Sequence, residues 1–291
     1  MANKKITDLQ LISSVTDSLN FPSDDTLQTY RATALQIKSY VLSTNAVTTS
    51  VINALAVTTA KIDDLAVTTA KIAAGAVTDA KTAFTPPTVQ RFTSGSGTYT
   101  TPAGVKYIVV ECVGGGGGGG GGNNNTAGTN GGATTFGSSL ITANGGTGSA
   151  TANTQTNGQS GGSVTINSPA ISLVASTGSQ GGNGQAGATN GKGGDGGPSV
   201  WGGRGSGGTG GTGASAAANS GAGGGGGSTQ STVNAGHGGG SGGYAKAIIT
   251  SPSATYAYSV GTAGSGASAG TNGYGAGNGG TGLIVVTEYY Q

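Results

Sequence analysis

Residues 113–132 read VGGGGGGGGGNNNTAGTNGG, with nine consecutive glycines from Gly114 to Gly122 placed directly after the strand-like run VKYIVVECV, Val105 to Val113. Ordering a residue costs about 1–2 kcal/mol of backbone entropy, and glycine loses more than any other. A net intramolecular hydrogen bond returns only about 0.5–1.5 kcal/mol. A folded role for the run therefore needs backbones that approach closely and bond on several sides, which only residues without side chains permit. Further on, glycine recurs in one frame of three at 178, 181, 184, 187, 193, 196, 202, 205, 208 and 211, with Asn190 and Ser199 interrupting. A period of three is that of an extended helix with 3 residues per turn. Collagen uses it with about 15–20% proline, whereas this chain of 291 residues has 7 prolines. The remaining use is polyglycine II, in which extended glycine helices pack side by side. An enclosed helix must be all glycine, and a peripheral one carries a side chain at one position in three. The nine-glycine run reads as an enclosed helix. GGNGQAGATNGKGGDGGPS reads as one peripheral helix, with Lys192, Asp195 and Pro198 on its outer edge.

Working outward, strand signals bracket the glycines: GYAKAIIT (Gly243 to Thr250), TYAYSVG (Thr255 to Gly261) and GLIVVTEYY (Gly282 to Tyr290) are rich in β-branched and aromatic residues. SVTINS and AISLVAS are weaker candidates. The first and last of the strong strands are expected to pair. Tyr99, Tyr107, Tyr256 and Tyr258 are expected to pack in this scaffold.

Two composition shifts mark a boundary near Thr85–Pro87. Seven of the ten acidic residues precede residue 85, while Gly75 is the only glycine before residue 95 among 63. This divides the chain into 1–44, 45–84 and 85–291. In the first part, LQTYRA alternates like a short strand. ATALQIKSYVL carries a helix signal, with Thr33 as N-cap, Gln36 completing a capping box, and Ala34, Ile37 and Val41 on one face. In the second, AVTTSVINAL, AVTTAKIDDL, AVTTAKIAAG and AVTDAKTAF form a repeat of period ten. Its apolar beat, Val47, Ile52, Val57, Ile62, Val67, Ile72 and Val77, falls every five residues. Five fits neither a helix nor a strand, so each unit should alternate a short helical turn capped by Thr with an extended Ala-Val piece. One Val and one Ile per unit cannot enclose a core. Such a stripe is covered by wrapping around copies of itself, and three chains about an axis is the preferred arrangement.

Several function classes lose support here. The net charge is +2 and the basic residues are scattered, which argues against nucleic acid. The single cysteine, Cys112, excludes an intramolecular disulfide framework and reads as a buried, inert thiol. MANKKITDLQLISS lacks the apolar core of a signal peptide, and no run approaches the length of a membrane span, so the chain is expected to be made in a cytoplasm without membrane insertion. His237 is the only histidine, and no metal or cofactor is expected. Beyond residue 84 the acids are Glu111, Asp195 and Glu288. They offer no credible carboxylate pair for glycoside hydrolysis, so no enzyme is expected.

KITDLQLISS with DDTLQTYRATALQIKSYVL resembles the virion-attachment end of bacteriophage tail fibres, and the AVTTAKI repeats are similar to shafts of trimeric fibres. TYTTPAGVKYIVVECVGGGGGGGG, together with GGYAKAIIT, YSVGTAGSGA and GGTGLIVVTEYY, resembles the glycine-rich domain at the ends of many phage tail proteins. The polyglycine sandwich of T-even distal adhesins is a related architecture. The resemblance implies an elongated homotrimeric fibre of mainly β and irregular structure in the virion. It would be held by a tail or baseplate protein at its N-terminus and would touch a bacterial surface glycan or outer-membrane protein at its C-terminal tip. A connector or decoration of the tail without receptor binding is the alternative. Contact residues are sought in loops at the ends of the glycine layers: Asn123, Asn124 and Asn125; Trp201 and Arg204, where the Trp201 ring would stack on a sugar or meet a protein, or would instead plug the glycine layers; and Asn272 and Tyr274, the second with the same two readings.

Overall fold

A computed structural model describes residues 20–24, 29–33, 58, 62, 66–77, 85–123, 126–151 and 158–291. The chain divides into two compact units, Met1–Thr78 and Asp79–Gln291. In the first unit, β1 (Asn20–Asp24) and β2 (Thr29–Thr33) form an antiparallel pair with Asn20 opposite Thr33. Thr33 thus closes a strand, and the helix expected after it lies outside the described residues. In the repeat region, Thr69–Lys71 makes a short 3-10 turn preceded by Thr68 in extended conformation. Thr68 occupies the capping position, but its side chain makes no cap bond, contrary to expectation. Lys71 Nζ instead donates to the Ala66 carbonyl at 2.5 Å. Ile62, Val67, Ile72 and Val77 are all exposed.

The second unit is mainly β. One sheet has the order β3 (Thr88–Phe92), β12 (Leu283–Tyr289), β5 (Tyr107–Val113), β10 (Tyr244–Ile249), β9 (Ile171–Ser176). The other has the order β4 (Ser96–Thr100), β11 (Thr255–Ser259), β6 (Thr134–Phe136), β7 (Ile141–Ala143), β8 (Val164–Ile166). Every pairing is antiparallel. β5 and β12, the first and last strong strands of the sequence, pair along their whole length, from Val113–Leu283 to Tyr107–Tyr289.

Alternation along β5, β10 and β12, broken only where Val113 and Leu283 are buried as well, turns one face inward, with Ile108, Val110, Cys112, Ala245, Ala247, Ile249, Ile284 and Val286 buried. The facing sheet contributes aromatic rings. Phe136 stacks on Tyr256 at 4.9 Å, and Tyr99 lies 5.6 Å from Phe136. Burying each large apolar side chain contributes about 1.5–3 kcal/mol, and Phe136→Ala would cost about 3–5 kcal/mol. Tyr107 stacks on Tyr289 at 4.5 Å. Cys112 is fully buried, and desolvation pushes its thiol far above the usual range.

The glycine stretches continue these strands. β5 runs on into 114–123, and 234–243 runs down into β10. The amides of 114–123 bond with a period of three. Gly114, Gly117, Gly120 and Asn123 donate to Gly243, Gly240, His237 and Asn234; Gly115 and Gly118 donate to Gly132 and Thr129; Gly116, Gly119 and Gly122 donate to Gly280, Gly277 and Tyr274. The carbonyls use three further neighbours, accepting from Gly146 and Ser149, from Gly264, Ala267 and Gly270, and from Gly224 and Gly227. The nine-glycine run thus has six extended segments around it.

The segments 221–229 and 234–243 are bonded on all sides in the same way, and these three contact one another. Nine others close a ring about this triangle, in the order 126–132, 144–151, 158–163, 178–185, 191–197, 203–209, 212–217, 273–282, 260–270. Closure is direct: Gly128 donates to Ser149 and Thr129 to Ser265. Side chains are excluded inside by contact. A Cβ on Gly116, Gly117 or Gly118 would lie 1.8, 2.2 or 2.0 Å from the carbonyl oxygens of Ala222, Thr147 and Ser265.

The stretch from 178 onward corrects one expectation. It is not a single peripheral helix but two antiparallel ring segments, 178–185 and 191–197, with Gly182 donating to Asp195 and Gln185 to Lys192. The interruption of the glycine frame at Asn190 falls in the reversal, where Gly187 and Asn190 have φ of 63° and 57°. Lys192 and Pro198 are exposed and Asp195 half-buried.

Candidate functional site

Each glycine segment reverses at one of the two ends of the array. Since 114–123 leaves β5 at Val113, Asn123 marks the end away from the sheets. Thr126 and the reversals at 186–190, 210–211, 230–233 and 271–272 share that end, by the antiparallel register of their segments. Asparagine suits these turns because its short amide side chain tolerates left-handed backbone. Asn123, Asn190 and Asn272 have φ of 44°, 57° and 56°.

The turns are tied into one network. The Asn123 N–H donates to the Asn234 carbonyl at 2.9 Å, and Asn123 Nδ2 donates to the Thr271 carbonyl at 2.7 Å. The Gly187 N–H donates to Asn234 Oδ1 at 3.2 Å. The Gln230 N–H donates to the Asn272 carbonyl at 2.8 Å, and Gln230 Nε2 donates to the Tyr274 hydroxyl at 2.5 Å. Thr126, Thr189, Asn190, Thr209, Thr212, Gln230, Thr232, Thr271 and Asn272 are exposed around this network. The described turn residues at this end carry no charge. The surface is therefore neutral, rich in hydroxyls and amides, and mounted on hydrogen-bonded backbone.

Three of the residues singled out in the sequence meet here: Asn123, Asn272 and Tyr274. Asn124 and Asn125 lie outside the described residues. Trp201 and Arg204 are not part of the cluster. Segment 191–197 runs back toward the sheets, so the turn at 198–204 sits at their end of the array. Pro198 and Val200 there line a cavity of about 230 Å³ with Ser176, Ser179 and Tyr244, at the ends of β9 and β10. Trp201 is 42% exposed in that turn. Arg204 lies 3.4 Å from Asp195 Oδ2. Gln230, Asn234 and Thr271 were missed in the sequence. Their signal was a polar interruption between glycine runs, STQSTVNAG and AGTNG, which is also the composition of any turn.

The carboxylates are separated. Glu111 is on the outer face of its sheet, 3.2 Å from Lys246 Nζ and accepting from the Tyr244 hydroxyl at 2.6 Å. Glu288 faces the core, where it is buried and accepts from Gln90 Nε2 at 2.6 Å, the Tyr99 hydroxyl at 3.0 Å and the Thr88 hydroxyl. Burial and this carboxylate push the Tyr99 hydroxyl well above its ordinary value. His237 is buried in 234–243, and its Nδ1 accepts from the Gly184 N–H at 3.1 Å. Among the described residues no group of three metal-ligating side chains converges, and no helix is long and apolar enough to cross a membrane.

Comparison with known families finds no family model that matches the chain, and comparison with curated proteins finds no match.

Proposed function

We propose that this chain is the structural protein and adhesin of a bacteriophage tail fibre, with its glycine-rich unit as the receptor-contacting tip. The observation that carries this reading is the neutral network of Asn123, Gln230, Asn234, Thr271, Asn272 and Tyr274, borne on an array in which three enclosed glycine segments fix the turns above them. The array is read as a polyglycine II bundle, on its three-residue bonding period. Hydroxyl and amide groups held in place suit hydrogen bonding to a surface glycan or to loops of an outer-membrane protein, at little ordering cost on binding.

In the same proposal the fibre is a homotrimer in the virion, held at its N-terminus by a tail or baseplate protein, without enzymatic activity. Ile62, Val67, Ile72 and Val77, exposed in the single chain, form the stripe that three copies would cover.

The test uses the labelled full-length protein on bacterial cells. Cell binding is expected to fall at least tenfold in Gln230→Ala/Tyr274→Phe and to persist in Trp201→Ala, at the opposite end. Light scattering should give three times 27.4 kDa. Absence of binding to any strain of a broad panel would favour a connector and overturn the adhesin. A monomer would overturn the trimer.

A further inference from the structure

Between Val113 and Tyr244 the sequence holds three residues charged at neutral pH, Lys192, Asp195 and Arg204. Folding brings all three to one groove of about 470 Å³ on the flank of the array, where the outer faces of 178–185 and 191–197 meet. The floor is glycine backbone, without side chains to obstruct an extended ligand. Asp195 is held in place, with Oδ1 accepting from the Gly207 N–H at 2.8 Å. Its two cations are held loosely. Lys192 Nζ is 3.7 Å and Arg204 3.4 Å away, against about 2.7–2.9 Å for a charge-assisted hydrogen bond. Two cations share one carboxylate, so the groove carries one excess positive charge and has donors to spare.

Three amides line the same groove. Asn183 Oδ1 accepts from the Gly158 N–H at 2.5 Å and Gln185 Oε1 from the Lys192 N–H at 2.7 Å, which leaves their NH₂ groups as donors. Gln180 Nε2 donates to the Gly158 carbonyl at 2.7 Å, which leaves its oxygen as an acceptor. Paired donors and acceptors beside a cationic centre match a sugar hydroxyl next to an acidic group. A nucleic acid would call for a track of cations rather than two.

We infer that this flank groove binds an acidic saccharide, its carboxylate between Lys192 and Arg204 and its hydroxyls on Asn183, Gln185 and Gln180. The groove is separate from the end turns and does not rest on their role. Asp195 competes with the ligand for both cations, and this gives the assignment a signature of opposite signs.

The experiment is titration calorimetry of the full chain with trigalacturonate, maltotriose and inorganic phosphate at low salt. Trigalacturonate should bind, maltotriose at least tenfold more weakly. Lys192→Gln/Arg204→Gln should lose at least tenfold with the melting temperature little changed, both cations being exposed. Asp195→Asn, whose amide oxygen can still accept from Gly207, should bind several-fold tighter. No binding of trigalacturonate, indifference to the double substitution, or weaker binding by Asp195→Asn would overturn the site. Phosphate competing as well as the trisaccharide would reduce it to an anion site and overturn the saccharide assignment.

Discussion

Adding one methyl group to the enclosed glycine segment tests the packing directly. In Gly118→Ala the new Cβ would lie 2.0 Å from the Ser265 carbonyl oxygen and 2.3 Å from its carbon, against 3.4–4 Å for ordinary contact. Both partners are backbone, so no rotamer relieves the clash. Segment 260–270 must withdraw by more than an ångström. The bonds that hold it there, Gly264 N–H to Gly116 O at 2.8 Å and Ala267 N–H to Gly119 O at 3.0 Å, then fail. Two buried pairs left unsatisfied cost about 1–3 kcal/mol each. The reduced entropy of the unfolded chain returns about 0.4–1 kcal/mol, so the net loss is about 1–6 kcal/mol. For a unit of this size that corresponds to a fall in melting temperature of about 2–24 °C. Gly211→Ala is the control, because its added Cβ meets nothing within 4 Å. Thermal unfolding of both variants, followed by calorimetry, should show a large loss for the first and little change for the second. A Gly118→Ala protein that melts within a degree of the parent would refute the six-neighbour packing, as would equal losses at the two positions.

Three further outcomes are expected. Tyr99→Phe removes a donor from the buried Glu288 carboxylate and should cost about 1–3 kcal/mol in denaturant unfolding; a neutral result would mean that Glu288 does not depend on that bond. The Asp195 carboxyl is held below its ordinary value, first by the Gly207 N–H and then by Lys192 and Arg204. Its contribution to stability is therefore present above the unfolded pKa of about 3.9 and lost as pH falls through the folded value. The stability difference between the parent and Asp195→Asn should shrink over that acid range, and a constant difference would contradict the assignment. Cys112, buried with its thiol held protonated, should resist a thiol reagent at pH 8 until the sheets unfold; labelling of the native protein would refute its burial.

How far local pattern reaches in this chain depends on how much side chain there is to read. β5, β10, β11 and β12 were legible because runs such as YIVVECV and LIVVTEY are rich in β-branched and aromatic residues and are bounded by turn residues. β3 and β4 were not, since TVQRF and SGTYT lie at sheet edges with mostly exposed side chains. β6 and β7 were missed because three residues each, TTF and ITA, are too few to establish a period. They are defined by each other across the turn at Gly137 and Ser138, where φ is 65° and 60°.

The glycines divide in the same manner. That nine in a row belong to an enclosed segment, and that a three-residue frame means bonding in three directions, follows from the sequence, because only a chain without Cβ atoms can be surrounded by backbone. Which segments surround it does not follow, since one glycine resembles another and the partners are separated by up to 164 residues, as between Gly116 and Gly280. The fate of the candidate site turns on that. Asn123 and Asn272 were visible as polar turns but not as neighbours. Trp201 was visible as an unusual ring but not as a residue at the opposite end. The direction of each segment is set by how many reversals precede it, and only the folded register of hydrogen bonds counts them.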